Sequence, residues 1–306
     1  MARGTVGTMI DRVQQQLDSA IRHEVNWLGA SLDASETTVT LLDEPTSSVR
    51  PGAILSVGRE LMRVRSVNVS AQEAVVMRGW RSDAEIHAAD AELLISPRFT
   101  RFDLYQAMVH EIESWGQRLF KITSYEWTVA DDVETIELPA SMADAIGVVE
   151  LRRQNSDDTD NTAWPTLNFR LMRGEVGVWS NASTSGLVIR MLPFGRSRMP
   201  AASVHALIAV PFDVTTADLT EDEDLVADYG LEPSMLEVVE LGIRMRVMSD
   251  AENARSGRAG QDEPRRAEEV PAGSALTVGQ TLRGVHARRL NDEVLRLQRK
   301  WKVRSW

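Results

Sequence analysis

Cysteine is absent from the 306 residues. That excludes disulfides, thiolate metal sites and cysteine nucleophiles, and leaves packing or assembly to stabilise the fold. Lysine is nearly absent as well, since only Lys121, Lys300 and Lys302 occur among 34 basic residues. The arginine bias reads as codon usage of a GC-rich genome and carries no mechanism. No run approaches the ~18 uninterrupted apolar residues of a membrane span, and Met1 to Ile10 lacks the apolar core of a secretion signal. The chain is therefore expected in the cytosol, without a membrane partner. Net positive charge is missing too: the formal charge is −11. Neutralising phosphates needs a basic surface, so a protein that wraps duplex DNA is disfavoured, whereas a wall past which DNA slides tolerates acidity.

What is present is an ordinary globular composition, 43% hydrophobic and 26% charged. A chain of this length holds two or three domains and buries roughly three quarters of its unfolded surface.

Ile10, Val13, Leu17, Ile21, Val25 and Leu28 recur at spacings of 3 and 4, which predicts a helix of about five turns between Thr8 and Gly29. The period then changes. Thr38 to Leu42, Ala53 to Val57, Leu61 to Val67, Ala74 to Met77 and Leu93 to Ile95 are short, β-branched and punctuated by turns such as Gly58-Arg59. They predict a small antiparallel barrel or roll, although the alternation along Leu61 to Val67 is imperfect. Leu104, Met108, Ile112, Trp115, Leu119 and Ile122 predict a second helix, with Thr100 and Asp103 at capping-box spacing. Seven further short strands are expected: Tyr125 to Val129, Thr135 to Leu138, Val148 to Arg152, Asn168 to Met172, Val176 to Trp179, Leu187 to Met191 and Val204 to Val210. They predict an antiparallel sandwich.

From Asp218 to Glu240 there are nine acidic residues and no basic one. A helix apolar on most of its circumference follows, from Pro233-Ser234 to Met248. Ala251 to Gly273 reads as a polar connection, too long for a tight hairpin. The last helix carries Leu282, Val285, Leu290, Val294, Leu297 and Trp301, and residues 281–306 hold eight basic and two acidic side chains.

Catalytic patterns are missing. His110-Glu111 does not continue into a zinc-protease motif, and there is neither a phosphate loop nor a nucleophile elbow. His110 and Glu113 could share a helix face, but no third ligand is visible. Asp157, Asp158, Asp160 and Asn161 could hold calcium or be a solvated loop, and the acidic run at 221–224 has the same two readings. Asp131, Asp132 and Glu134 are sequence neighbours rather than a carboxylate pair across a cleft. No cofactor or metal is expected, and no enzymatic activity.

Opposite charge concentrates at two places. Glu221, Asp222, Glu223 and Asp224 form one; Arg299, Lys300, Lys302 and Arg304, flanked by Trp301 and Trp306, form the other. The basic end could dock on a partner protein, hold nucleic acid, lie on a membrane or be a frayed helix end. Exposed tryptophans favour interface anchors. The two patches could also pair within one chain.

Several stretches carry a resemblance. Pro51-Gly52 to Val57, Gly58-Arg59-Glu60-Leu61-Met62-Arg63-Val64, Val75-Val76-Met77-Arg78-Gly79-Trp80, then His87 and Leu93 to Ile95, resemble a β-module of phage structural proteins. Its pattern is a glycine turn, a Glu-Leu/Met-x-Val strand, an Arg-Gly turn and a histidine a few residues on. Ser82-Asp83 and Ala89-Asp90 depart from it. Pro97 to Ile122 is similar to the helix that follows this module in head-to-tail connector proteins of tailed phages. Arg265 to Leu276, leading into an Arg-rich helix, is similar to such proteins too.

That resemblance implies a ring subunit of about twelve copies between portal and tail, through which DNA passes without sequence-specific binding. Its partners would be the portal protein, a tail or tail-completion protein and copies of itself, and its location the head-tail junction of a virion assembled in the host cytoplasm. Arg299, Lys300, Trp301, Lys302, Arg304 and Trp306 would be portal or neighbour contacts, and Glu221 to Asp224 a subunit contact. The fold expected is α+β: a helical bundle of residues 1–35 and 97–123, a β-module at 36–96, a sandwich at 124–218, and C-terminal helices with a basic tail at 219–306. The rival reading is a tail-associated binder of host surface or carbohydrate, with Trp164 and Trp179 at the rim of the sandwich.

Overall fold

The computed structural model describes residues 5–18, 24–130, 135–154, 164–173, 186–192, 201–214, 219–259 and 274–305. Among them the first half of the chain forms α1 (Val6–Asp18), β1 (Glu24–Trp27), β2 (Thr38–Thr40), β3 (Ile54–Val57), β4 (Glu60–Asn68), β5 (Glu73–Met77), β6 (Glu92–Ile95) and α2 (Arg101–Trp115). There follow β7 (Lys121–Val129), β8 (Thr135–Glu137), β9 (Gly147–Arg153), β10 (Asn168–Arg173), β11 (Leu187–Leu192) and β12 (Ala202–Val210). Last come α3 (Leu236–Ala259), α4 (Ser274–Lys300) and the short β13 (Arg304–Ser305).

Among the described residues, thirteen strands in three sheets against four α-helices make this a β-rich α+β fold, not the helical bundle that the sequence predicts. The first helix shows why. Its apolar stripe reaches Leu28 on paper, but the helix ends at Asp18 and residues 24–27 pair with β6 instead, Glu24 opposite Ile95 and Trp27 opposite Glu92. Leu28 is fully buried in a strand-built core and Val25 is exposed, the reverse of what one helical stripe requires. Long-range pairing overrode local period. The second helix is also shorter than expected. It ends at Trp115 because Gly116 turns to positive φ (+52°), and β7 has begun by Lys121, so Leu119 and Ile122 lie outside the helix. Its start does form the reciprocal cap: the Asp103 N–H donates to Thr100 Oγ1 at 3.0 Å, and the Thr100 hydroxyl to Asp103 Oδ2 at 2.6 Å.

The chain divides into two compact units. One comprises Met1–Glu111, Val214–Asp228 and Met235–Ala287; the other Ile112–Asp213, Tyr229–Ser234 and Arg288–Trp306.

In the first unit the six-stranded sheet runs β1-β6-β3-β4-β5-β2 and curls until its outer strands meet. The Leu42 N–H donates to the Trp27 carbonyl and the Gly29 N–H to the Thr40 carbonyl. Leu28, Val39, Leu55, Met62, Ala74 and Leu93 fill the half-barrel. Val57 and Glu60 are joined by a two-residue turn with Gly58 at φ +54°. The imperfect alternation of Leu61 to Val67 has a cause: the β4–β5 register shifts between Val64 and Ser66, a bulge that puts Arg65 and Ser66 both outward. In the same unit α3 buries Val238, Val239, Ile243 and Val247 and continues to Ala259, past the point where the sequence reads as a polar connection.

In the second unit a four-stranded sheet, β13-β9-β12-β7, and a three-stranded sheet, β10-β11-β8, share one core. Val148, Leu151, Val204, Ala206 and Ile208 come from the first; Ile136, Phe169, Leu187, Ile189 and Met191 from the second. The expected strand Val176 to Trp179 lies outside the described residues.

Candidate functional site

The basic C-terminal segment is engaged within its own unit. Lys300 Nζ lies 3.1 Å from Glu232 Oε1, and Arg296 reaches both Glu232 and Glu293. Burial would raise the Glu232 carboxyl, but hydrogen bonds from Arg296 and Lys300 outweigh it and hold the group below its ordinary range. Arg304 pairs in β13 with Val148 of β9, its guanidinium lies 4.7 Å over the Phe169 ring, and Nη1 donates to the Phe169 carbonyl at 3.4 Å. Trp301 is half-buried, with the Lys300 ammonium 5.3 Å from its ring. Arg299 and Lys302 are exposed. Trp306 lies outside the described residues.

The acidic segment is likewise tied to its own unit. The Glu221 and Glu223 carbonyls accept the Gly7 and Val6 N–H groups, both at 2.9 Å. The Glu221 side chain accepts from Arg101 Nε at 2.8 Å, and Arg101 also donates to Asp11 at 2.5 Å. Burial would lower the Arg101 pKa, but these two carboxylates outweigh it and raise the group further, so Arg101 stays charged. Asp224 caps a turn, accepting the Val226 N–H at 2.8 Å, while Asp222 is exposed.

Beside Arg101 runs an open groove of about 690 Å³, between α1 and the outer face of β1, β3 and β6. Val25 and Leu94 give it an apolar floor; Asp11, Asp18, Glu92 and Glu221 give it an acidic rim, with Gln14 and Gln15 between them. The apolar surface continues past the groove. Trp27 lies two residues beyond Val25 on the same face of β1 and is 38% exposed, and its strand neighbour Leu42 is 49% exposed.

Two fully buried glutamates escaped the reading of the sequence. Glu60 Oε1 accepts from Arg78 Nε at 2.5 Å; Oε2 accepts from Arg78 Nη2 at 2.7 Å and the Glu85 N–H at 3.0 Å and lies 2.8 Å from His87 Nε2. Burial alone would raise its pKa, but the hydrogen bonds from Arg78, His87 and the Glu85 N–H outweigh it and lower the value to about 2. With both oxygens engaged, this carboxylate pins strand, turn and loop together rather than shuttling protons. Glu111 of α2 repeats the theme: Arg246 Nε of α3 lies 2.9 Å from Oε2, and His286 Nε2 of α4 lies 2.7 Å from Oε1. No local spacing announces either cluster. The one hint is Gly242, set between Leu241 and Ile243 in an apolar helix, where a side chain would strike Glu111.

His110 and Glu113 are both exposed. Trp164 is 5% exposed, which leaves no open ring face for a sugar. Trp179 and the acidic positions 131, 132, 134, 157, 158 and 160, with Asn161, lie outside the described residues. Among the described residues no three acidic or histidine side chains form a metal-holding group, and no helix is long and apolar enough to cross a membrane. No protein-family model matches the chain, and no curated protein is similar to it.

Proposed function

We propose that the chain is a structural subunit of the head-to-tail connector of a tailed phage, forming a ring of about twelve copies between portal and tail through which DNA passes. One observation carries this reading. The residues of the resemblance, Glu60, the Arg78-Gly79 turn and His87, converge on one buried cluster in which Arg78, His87 and the Gly79 N–H all address the Glu60 carboxylate. Motifs scattered over 28 positions are thus one structural unit, which is what a shared module requires and what chance matches would not give. The reading makes the protein's work mechanical: it docks on the portal, receives the tail and lines a passage whose acidity keeps DNA from adhering.

The test is co-sedimentation with purified portal rings, with mass photometry of the chain alone and with portal. The expected outcome is a monomer or small oligomer that becomes a ring on the portal, and loss of attachment when the chain is truncated after Leu290. A truncated chain that still sediments with portal rejects the C-terminal assignment. Indifference of the full chain to portal and tail proteins, or turnover of a small molecule, overturns the function.

A further inference from the structure

Eight large apolar side chains are exposed among the described residues: six occur in the sequence between Val25 and Ile86, and the other two, Val285 and Leu295, are on α4. Of the 22 described side chains of α4, residues 279–300, only His286, Leu290 and Leu297 are buried, a thin stripe for a helix of that length. On the opposite face Val285, Arg288, Asp292, Leu295 and Arg299 follow one another at spacings of 3, 4, 3 and 4, a straight seam about 21 Å long at 1.5 Å per residue. Val285 is 44% and Leu295 50% exposed, and Arg288 and Arg299 are exposed without an ion pair among the described residues. Such a seam is the pattern of a helix that meets another surface.

We propose that the seam of α4 in one copy seats in the acid-rimmed groove of a second copy. This rests on the reading of the chain as a ring subunit and names the surfaces that make the ring. The groove offers what the seam lacks, apolar side chains of Val25 and Leu94 for Leu295 and Val285, and a carboxylate-rich rim that includes Glu92 for Arg288 and Arg299. The two arginines of the seam and the carboxylates of the rim are opposite in sign, which steers association. Groove and seam are different surfaces of one chain, so the contact is head-to-tail, and its repetition builds a ring or an open filament rather than a two-fold dimer.

The absence of cysteine makes the test clean. A double variant, Gln15→Cys in the groove and Arg288→Cys on the seam, is oxidised in the full-length chain at high concentration without portal; each single variant is the control. The expected result is a ladder of cross-linked dimers, trimers and larger species from the double variant, and at most dimers from the singles. Adding Leu295→Asp to the double variant lowers the cross-linked fraction about tenfold or more. Mixed charge variants supply a second readout that a folding defect would not mimic: Arg288→Glu weakens wild-type self-association and Glu92→Arg restores it. Portal binding is scored separately on the wild-type chain. A ladder without portal binding upholds the contact and sinks the connector function; portal binding with no ladder, and with Arg288→Glu indistinguishable from wild type, overturns the contact alone. If neither appears, both fall.

Discussion

Glu60 is a completely buried carboxylate kept ionised by an arginine, a histidine and backbone donors, so its removal leaves those donors unanswered in the interior. Breaking a buried pair from one side costs about 3–5 kcal/mol, and Glu60→Gln is expected to lower urea stability by that order. The pH dependence has a fixed sign. The folded pKa lies at about 2, below the ordinary 4.5, so the stabilisation is fully present above pH 4.5 and drains away as pH falls from there through about 2. Thermal unfolding followed between pH 6 and pH 2 should show the midpoint falling across that window, and Glu60→Gln should flatten the fall. Gly242→Ala tests the second buried glutamate. The new methyl group meets Glu111, which Arg246 and His286 hold in place, and overpacking of this kind costs about 1–3 kcal/mol. An unchanged denaturation midpoint would show that Glu111 has room to move.

At the scale of elements, the strands of the half-barrel were legible because each carries β-branched residues bounded by turn formers. The strand readings at Thr38, Ala53, Leu61, Ala74 and Leu93 fall on β2 to β6 within a few residues. The first helix was misread because Val25 and Leu28 continue an α-helical spacing by accident, and only the partner strand β6, about 70 residues away, decides their conformation. The last strand escaped the sequence for the same reason. Arg304, read as part of a basic end that contacts a partner, forms β13 against β9, where Gly147 leaves room for the Arg304 carbonyl and Val303. Gly147→Ala should therefore displace the last residues while sparing the sheet core, seen as faster tryptic release of the peptide beyond Lys302 with the thermal midpoint little altered. Resistance equal to wild type would mean that β13 does not depend on this close approach.

For the whole molecule, the charge of −11 opposes adhesion to phosphate. Rings assembled as proposed are accordingly expected not to retain duplex DNA in a filter or gel-shift assay at low salt, where any phosphate contact would be strongest. Retention that fades with added salt would contradict a passive passage.

Sequence alone determined the strands β2 to β6, the cap of α2, the absence of thiol chemistry and the placement of opposite charge at two stretches, since each depends on residue type or on neighbours a few positions apart. Tertiary structure decided that the chain is a β-rich fold, that Glu60 and Glu111 each gather an arginine and a histidine, that Lys300 and Arg304 are held within the chain, and that an acid-rimmed groove and a bare helical seam remain. Those outcomes turn on which distant segments meet, and the energy of a pairing between residues far apart in the chain leaves no periodic mark on either of them.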